Sequence, residues 1–318
     1  MPSLRSVELQ AAQVLTVLIL APLIRGIIER GKHIVQSKRG PSVLQPYFVY
    51  AKLLRKGSVV SEHASAIFRF APYIAFVTPL IVATLIPVLT AYPLPYAFMG
   101  DMLGGGFVLA LGGFFATLAA VDTANPYGPV GASRTRMVGF LAEPVFMIVF
   151  FTVSFVAGST IPYIVQQRWV TPRANFVAPS HVLLMLAFLM LVLAEGGRIP
   201  VDNPTGHFEL AMIDDSKSLE YSGPGMALVK WGAHMRLFVL LCIFLNVLVT
   251  PWGLAHEQTL GAVLLAIPLV LLKIFGLLLV LVGIESSLSK LRLFRIAEFL
   301  GAAFVTSVTA MISRLFSF

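Results

Sequence analysis

Apolar residues run along this chain in unbroken stretches, at 77–89, 137–157, 182–194, 237–249 and 260–283, instead of recurring every second or every third to fourth position. A strand of a membrane barrel would alternate polar and apolar residues, and a helix on a soluble core would keep one polar face. Runs of this length suit helices that cross the roughly 30 Å hydrocarbon core of a bilayer. Eight spans are predicted, at about 7–28, 70–91, 103–121, 137–157, 181–195, 234–250, 260–283 and 297–316. The fifth is short and should begin before His181. The expected fold is one all-α polytopic membrane domain over residues 1–318.

Composition sharpens this. Of 318 residues, 58% are hydrophobic and 12% charged, about half the charged share of an ordinary soluble domain. The first apolar stretch is too long for a cleavable signal, and its positive charge follows it, so it reads as a retained helix. Lysine and arginine fall unevenly between the loops. Eighteen lie on one side of the predicted membrane, four (Arg5, Arg168, Arg173 and Arg314) on the other, and Lys273 lies inside a span. By the positive-inside rule the large basic loops face the cytoplasm and both termini face outward. The net charge of +8 is therefore a topology signal, and nucleic acid is not an expected partner.

Candidate chemistry is sparse. A lone cysteine, Cys242, closes no internal disulfide and ligates no iron-sulfur cluster. There is no GxxxxGK[ST] loop and no HExxH, and His181, His234 and His256 each stand alone as structural or interfacial residues. The glycines Gly104, Gly105, Gly106, Gly112 and Gly113 open a membrane span instead of following a strand, so they read as helix-packing positions. Residues 38–56 start with an Arg39-Gly-Pro turn and continue as a short helix from Pro46. Its Lys52, Arg55 and Lys56 share an arc opposite Tyr47, Phe48, Tyr50 and Leu54, as in a helix lying on the membrane surface.

Ionisable groups at membrane depth cost at least ~2.5 kcal/mol on insertion scales and usually serve a purpose. Glu143 precedes Pro144, which leaves the Phe140 carbonyl without its helical donor. Lys273 sits near the middle of the seventh span, and Glu195 ends the fifth. Each is open to two readings, a proton-passing group or a static hydrogen-bonded pair. In the loop after span five, Asn203, Pro204 and Gly223 predict a helix over 204–222. On its wheel Glu209, Ser216 and Glu220 share one face, while His207, Asp214 and Tyr221 share the other. Glu209 and Glu220 would be about 16 Å apart along it at ~1.5 Å per residue, too far for one proton hop. The competing reading is a solvated acidic face.

The block Glu195-Gly-Gly-Arg-Ile-Pro-Val-Asp-Asn-Pro-Thr-Gly-His-Phe-Glu-Leu, followed by Leu219-Glu-Tyr-Ser-Gly, resembles a known family. It is the membrane subunit shared by respiratory complex I, where it is the first or H-type subunit, and the energy-converting NiFe hydrogenases. Supporting blocks are Arg39-Gly-Pro with Leu44-Gln-Pro and Lys52-Leu-Leu, Gly131-Ala-Ser-Arg134 with Glu143-Pro, and Glu285 through Lys290-Leu-Arg-Leu-Phe-Arg295. Thr205 and His207 stand where complex I members typically carry acids. Asp202-Asn-Pro and His207-Phe-Glu-Leu look like the hydrogenase branch, of the formate hydrogenlyase subunit 4 or hydrogenase-4 component C type. Asp214-Asp215 and Val49 depart from that branch.

The resemblance implies a non-catalytic oxidoreductase subunit of a prokaryotic cytoplasmic (inner) membrane, with no redox cofactor of its own. Partners would be NiFe hydrogenase large and small subunits, iron-sulfur ferredoxin-like subunits carrying the clusters, and antiporter-like membrane subunits. It implies proton-path candidates at Glu143, Glu195, Glu209, Glu220, Lys273, Asp214, Asp215 and His207. The partner-docking candidates are Arg39, Lys52, Arg55, Arg134, Arg136, Arg198 and Asp202. Competing functions are a purely structural anchor, a quinone-linked complex I subunit, and a free-standing permease.

Overall fold

The computed structural model describes residues 4–170, 178–203 and 213–316. Glu209, His207 and most of the helix predicted over 204–222 lie outside the described residues. The elements are α1 (Leu4–Val35), α2 (Gln45–Leu54), α3 (Ala66–Leu85), α4 (Met102–Asp122), α5 (Tyr127–Ala157), α6 (Pro162–Val170) and α7 (Pro179–Glu195), then α8 (Gly223–Ile243), α9 (Leu260–Ser287) and α10 (Leu293–Leu315). Seven helices are long and apolar enough to cross a membrane, and α7, at 17 residues, is a shorter apolar one. These eight correspond to the eight predicted spans, and α7 does begin before His181.

Helix α8 is the hub. Of its most apolar stretch, 78% is buried, against 28–39% for the other long helices, as expected where a helix without a polar face is surrounded by others. It packs on α1, α2 and α3, while α5, α7 and α10 pack on one another and α4 bridges α3 to α5. Glycines permit the closest approaches: Gly232 of α8 meets the Ala75 carbonyl of α3, and Gly112 and Gly106 of α4 meet Thr78 and Phe146. The α4 glycines are thus packing positions. At ~1.5 Å per residue α1 and α5 are about 48 and 46 Å long, longer than a bilayer core, so each carries a polar extension beyond it.

Three expectations are corrected. The second span ends at Leu85, not near 91, because Pro87 removes a donor and turns Ile86 to an extended conformation (φ −104°, ψ 153°). The freed carbonyls are met from elsewhere: the Gln13 amide donates to Ala83 at 2.7 Å and Ile86 at 3.1 Å, and the Tyr163 hydroxyl to Ile86 at 2.9 Å. The sixth span starts at Gly223, well before 234, and finishes as a π-helix over Phe244–Val249. Gly223 therefore opens a helix instead of stopping one. Its φ is +53° and an added Cβ would lie 2.7 Å from the Gly57 carbonyl, which only glycine tolerates. In the described part of the predicted 204–222 helix there is a single 3-10 turn, Asp215–Ser218.

Candidate functional site

Where α7 stops, the chain builds its polar centre. Gly196 and Gly197 end the helix after Glu195: Gly197 adopts φ +57°, and the Arg198 amide donates back to the Leu193 carbonyl at 2.9 Å, a glycine-dependent helix stop. Arg198 is then buried and faces Glu285 of α9, whose carboxylate is 3.4 Å from Arg198 and 2.7 Å from Lys32 of α1. Asp202, also buried, accepts from the amides of Asn203 (2.8 Å), Ile213 (3.2 Å) and Asp214 (2.8 Å), and from Lys290 at 2.7 Å. One carboxylate thus joins both described ends of the α7–α8 connection to the segment before α10. Further along, Thr135 donates to the Ile213 carbonyl, Ser216 to the Tyr127 carbonyl, and Tyr221 to the Phe68 carbonyl while stacking on that ring.

Around these ties lie cavities. The widest, about 290 Å³, opens between α1, α2 and α8 and is lined by Arg25, Glu29, Tyr50, Arg198, Asp215 and His234 among others. The Tyr50 hydroxyl is hydrogen-bonded to Nδ1 of His234, and its ring stacks on Trp231 at 5.1 Å. Deeper lie three smaller spaces of about 80, 60 and 40 Å³. Each exceeds the ~10–15 Å³ that one water centre needs. Asp214 and Asp215 line the first, Asp214, Asp202 and Glu143 the second, and Glu143 the third. Glu195 and Arg236, an ion pair joining α7 to α8, line all three.

Electrostatics sorts the two adjacent aspartates. Burial pushes Asp214 up, but the charge and hydrogen bond of Lys217, with Arg236 and Arg25 beyond, hold it below the usual range. Burial and then the Asp214 charge push Asp215 above that range, against Lys230 and Arg25. Desolvation, followed by repulsion from Arg25, pulls Arg198 down to about 10, with Glu285 opposing. The carboxyl most ready to accept a proton is therefore Asp215.

The structure gathers Glu143, Glu195, Asp214 and Asp215 around connected spaces. It sets two other predicted proton residues apart. Glu220 accepts from Asn125 and lines none of these cavities. Lys273 donates to Asn246 Oδ1 (2.7 Å) and to the carbonyls of Thr250 (3.1 Å) and Trp252 (2.8 Å). That places it at the end of the π-helix, and the fixed hydrogen-bonded reading suits it. Among docking candidates, Arg39, Lys52, Arg55 and Arg136 are exposed and Arg134 is half-buried, whereas Arg198 and Asp202 are interior ties. Among the described residues no group of three or more His, Cys, Asp or Glu could hold a metal ion. Site residues that the sequence pattern does not single out are Arg236, His234, Tyr50, Arg25 and Glu29.

A family model described as NADH dehydrogenase matches residues 9–314. The chain belongs to that family. Formate hydrogenlyase subunit 4 of Escherichia coli K12 is 32% identical over 305 residues, covering 95% of this chain and 97% of that protein. Hydrogenase-4 component C of the same organism is also 32% identical, covering 88% and 86%. More distant is the H-type membrane subunit of the NADH-quinone oxidoreductase of Rickettsia prowazekii, 26% identical over 70% of this chain and 67% of that protein. A chain in the structure of the membrane-bound sulfane sulfur reductase, an archaeal respiratory membrane complex, superposes with a TM-score of 0.81 at 18% identity, covering 96% of this chain and 99% of that one. This NADH dehydrogenase family member is a multi-pass membrane protein, and its sequence is more similar to the two hydrogenase components than to the quinone-linked subunit.

Proposed function

We propose that this chain is the membrane coupling subunit of a hydrogenase-type complex in a prokaryotic inner membrane. It anchors a cytoplasmic electron-transfer arm and passes protons from that arm into the bundle. The arm would carry NiFe large and small subunits and iron-sulfur ferredoxin-like subunits, with antiporter-like subunits alongside in the membrane. The exposed Arg39, Lys52, Arg55 and Arg136 would face the arm, with both termini on the outer side. The observation that carries this reading is the succession of water-sized spaces from Asp215, through Asp214 and Glu195, to Glu143 inside α5. Among the described residues Glu143 makes no ion pair, so its proton is not committed to a fixed partner. Electron transfer in the arm would shift the α7–α8 connection, including Glu209, and so the proton affinity of Asp215 and Glu195.

The test is Glu143→Gln, alone and with Glu209→Gln, in the purified complex reconstituted into vesicles. Electron turnover with the native donor should persist, while proton movement, read with a pH-sensitive dye, falls at least tenfold. Intact turnover together with intact proton movement would leave this subunit as a structural anchor.

A further inference from the structure

We propose that the Arg236–Glu195 pair is a gate that separates the three inner cavities, with Arg236 the positioning residue that closes it. This rests on the proton route above and adds the element that makes it directional. Glu195 and Arg236 line all three inner spaces, so their paired side chains are the wall common to them. Two of those spaces are also lined by Asp214, on the side of the α7–α8 connection. Two are lined by Glu143, on the bundle side.

The guanidinium is held on one side only. It pairs with Glu195, while its buried Nε has no hydrogen-bond partner. Opposite lies Gly113 of α4: a Cβ there would stand 3.4 Å from Nη1, so the missing side chain leaves the fork room to turn. Asp214 already feels the Arg236 charge. The cation therefore has a second carboxylate within its reach across a shared cavity.

A proton delivered by water in the outer space forms an O–H bond at the Glu195 carboxylate, and the delivering hydronium loses one. Neutral Glu195 no longer holds the guanidinium, which turns toward Asp214 and joins the inner spaces. The Glu195 O–H then breaks as its proton passes through water to the Glu143 carboxylate. Glu195, charged again, recaptures Arg236 and closes the passage behind the proton. A desolvated charge pair suits such a gate because neutralising one partner leaves the other buried and uncompensated.

The experiment uses the intact complex in vesicles loaded with pyranine, with an external acid jump and no electron donor. Arg236→Gln should raise passive proton entry at least fivefold, Arg236→Lys should stay within twofold of wild type, and adding Glu143→Gln to Arg236→Gln should abolish the leak. Gly113→Val, which keeps the arginine but crowds Nη1, is the second variant and should leak in the same direction if Arg236→Gln fails to assemble. Vesicles that stay tight with both variants overturn the gate. If they stay tight while Glu143→Gln alone still abolishes driven proton movement, the route survives without its gate. If Glu143→Gln changes nothing, route and gate fall together.

Discussion

Replacing Glu285 by glutamine removes a negative charge from between two buried cations, and its cost can be worked from the distances. Lys32 Nζ lies 2.7 Å and Arg198 Nη1 3.4 Å from the carboxylate oxygens, with the Glu285 side chain wholly buried. At an effective dielectric constant of about 20 these attractions amount to about 6 and about 5 kcal/mol. The three charges lose several kcal/mol each by leaving water, which consumes most of that gain. Glutamine keeps the volume and can still accept a hydrogen bond, but it leaves Arg198 and Lys32 uncompensated. The expected loss is therefore about 3–5 kcal/mol, the range for breaking a buried pair from one side. Lys32→Met combined with Glu285→Gln should recover part of it, because the double variant buries one cation fewer. The assay is denaturant or thermal unfolding of the purified complex, arranged as a double-mutant cycle with Lys32. A single variant within about 1 kcal/mol of wild type, with no coupling in the cycle, would refute the claim that Glu285 anchors the α7–α8 connection.

Lys273→Met removes three donated hydrogen bonds from the end of α8. It should lower unfolding stability by about 2–4 kcal/mol while driven proton movement per electron stays near wild type; a selective loss of proton movement would assign Lys273 to the route. Asp214→Asn removes the charge that helps raise Asp215, so the protonated Asp215 carboxyl band in infrared titration should move to lower pH. An unmoved band would refute the coupling. Because its folded pKa lies above the ordinary 3.8, Asp215 costs stability as pH rises through that interval. Asp215→Asn should accordingly stabilise the subunit at neutral pH and change nothing in strong acid. Gly223→Ala forces a left-handed residue against the Gly57 carbonyl and should cost at least about 1–2 kcal/mol, visible as a lower melting temperature.

How much of this is legible in the sequence follows from what each residue does to a hydropathy pattern. The eight spans are readable because lipid demands uninterrupted apolar length, and α4's glycines are readable as packing because a missing side chain has one use inside a bundle. Glu143 and Glu195 stand out because each interrupts or ends such a run. Arg236 is hidden for the same reason. Lys230, His234 and Arg236 lower the apolar average, so the span seems to begin at 234 and its first polar residues look like a solvated flank. In the structure α8 starts at Gly223, and those residues lie well inside it. They can do so because α8 is the hub, enclosed by other helices, and its polar side chains meet cavities and carboxylates instead of lipid. The α7–α8 connection misleads for a complementary reason: Asn203, Pro204 and Gly223 are valid helix punctuation, but what holds residues 213–222 is not helical hydrogen bonding. It is Asp202, Thr135, Ser216 and Tyr221 tying the segment to α3, α5 and itself, contacts between positions tens of residues apart that no local pattern records. An arm that pulled on this connection would act directly on Asp202, Asp214 and Asp215, so a conformational change outside the membrane would reach the Glu195–Arg236 pair as a change in local charge, without any helix having to slide.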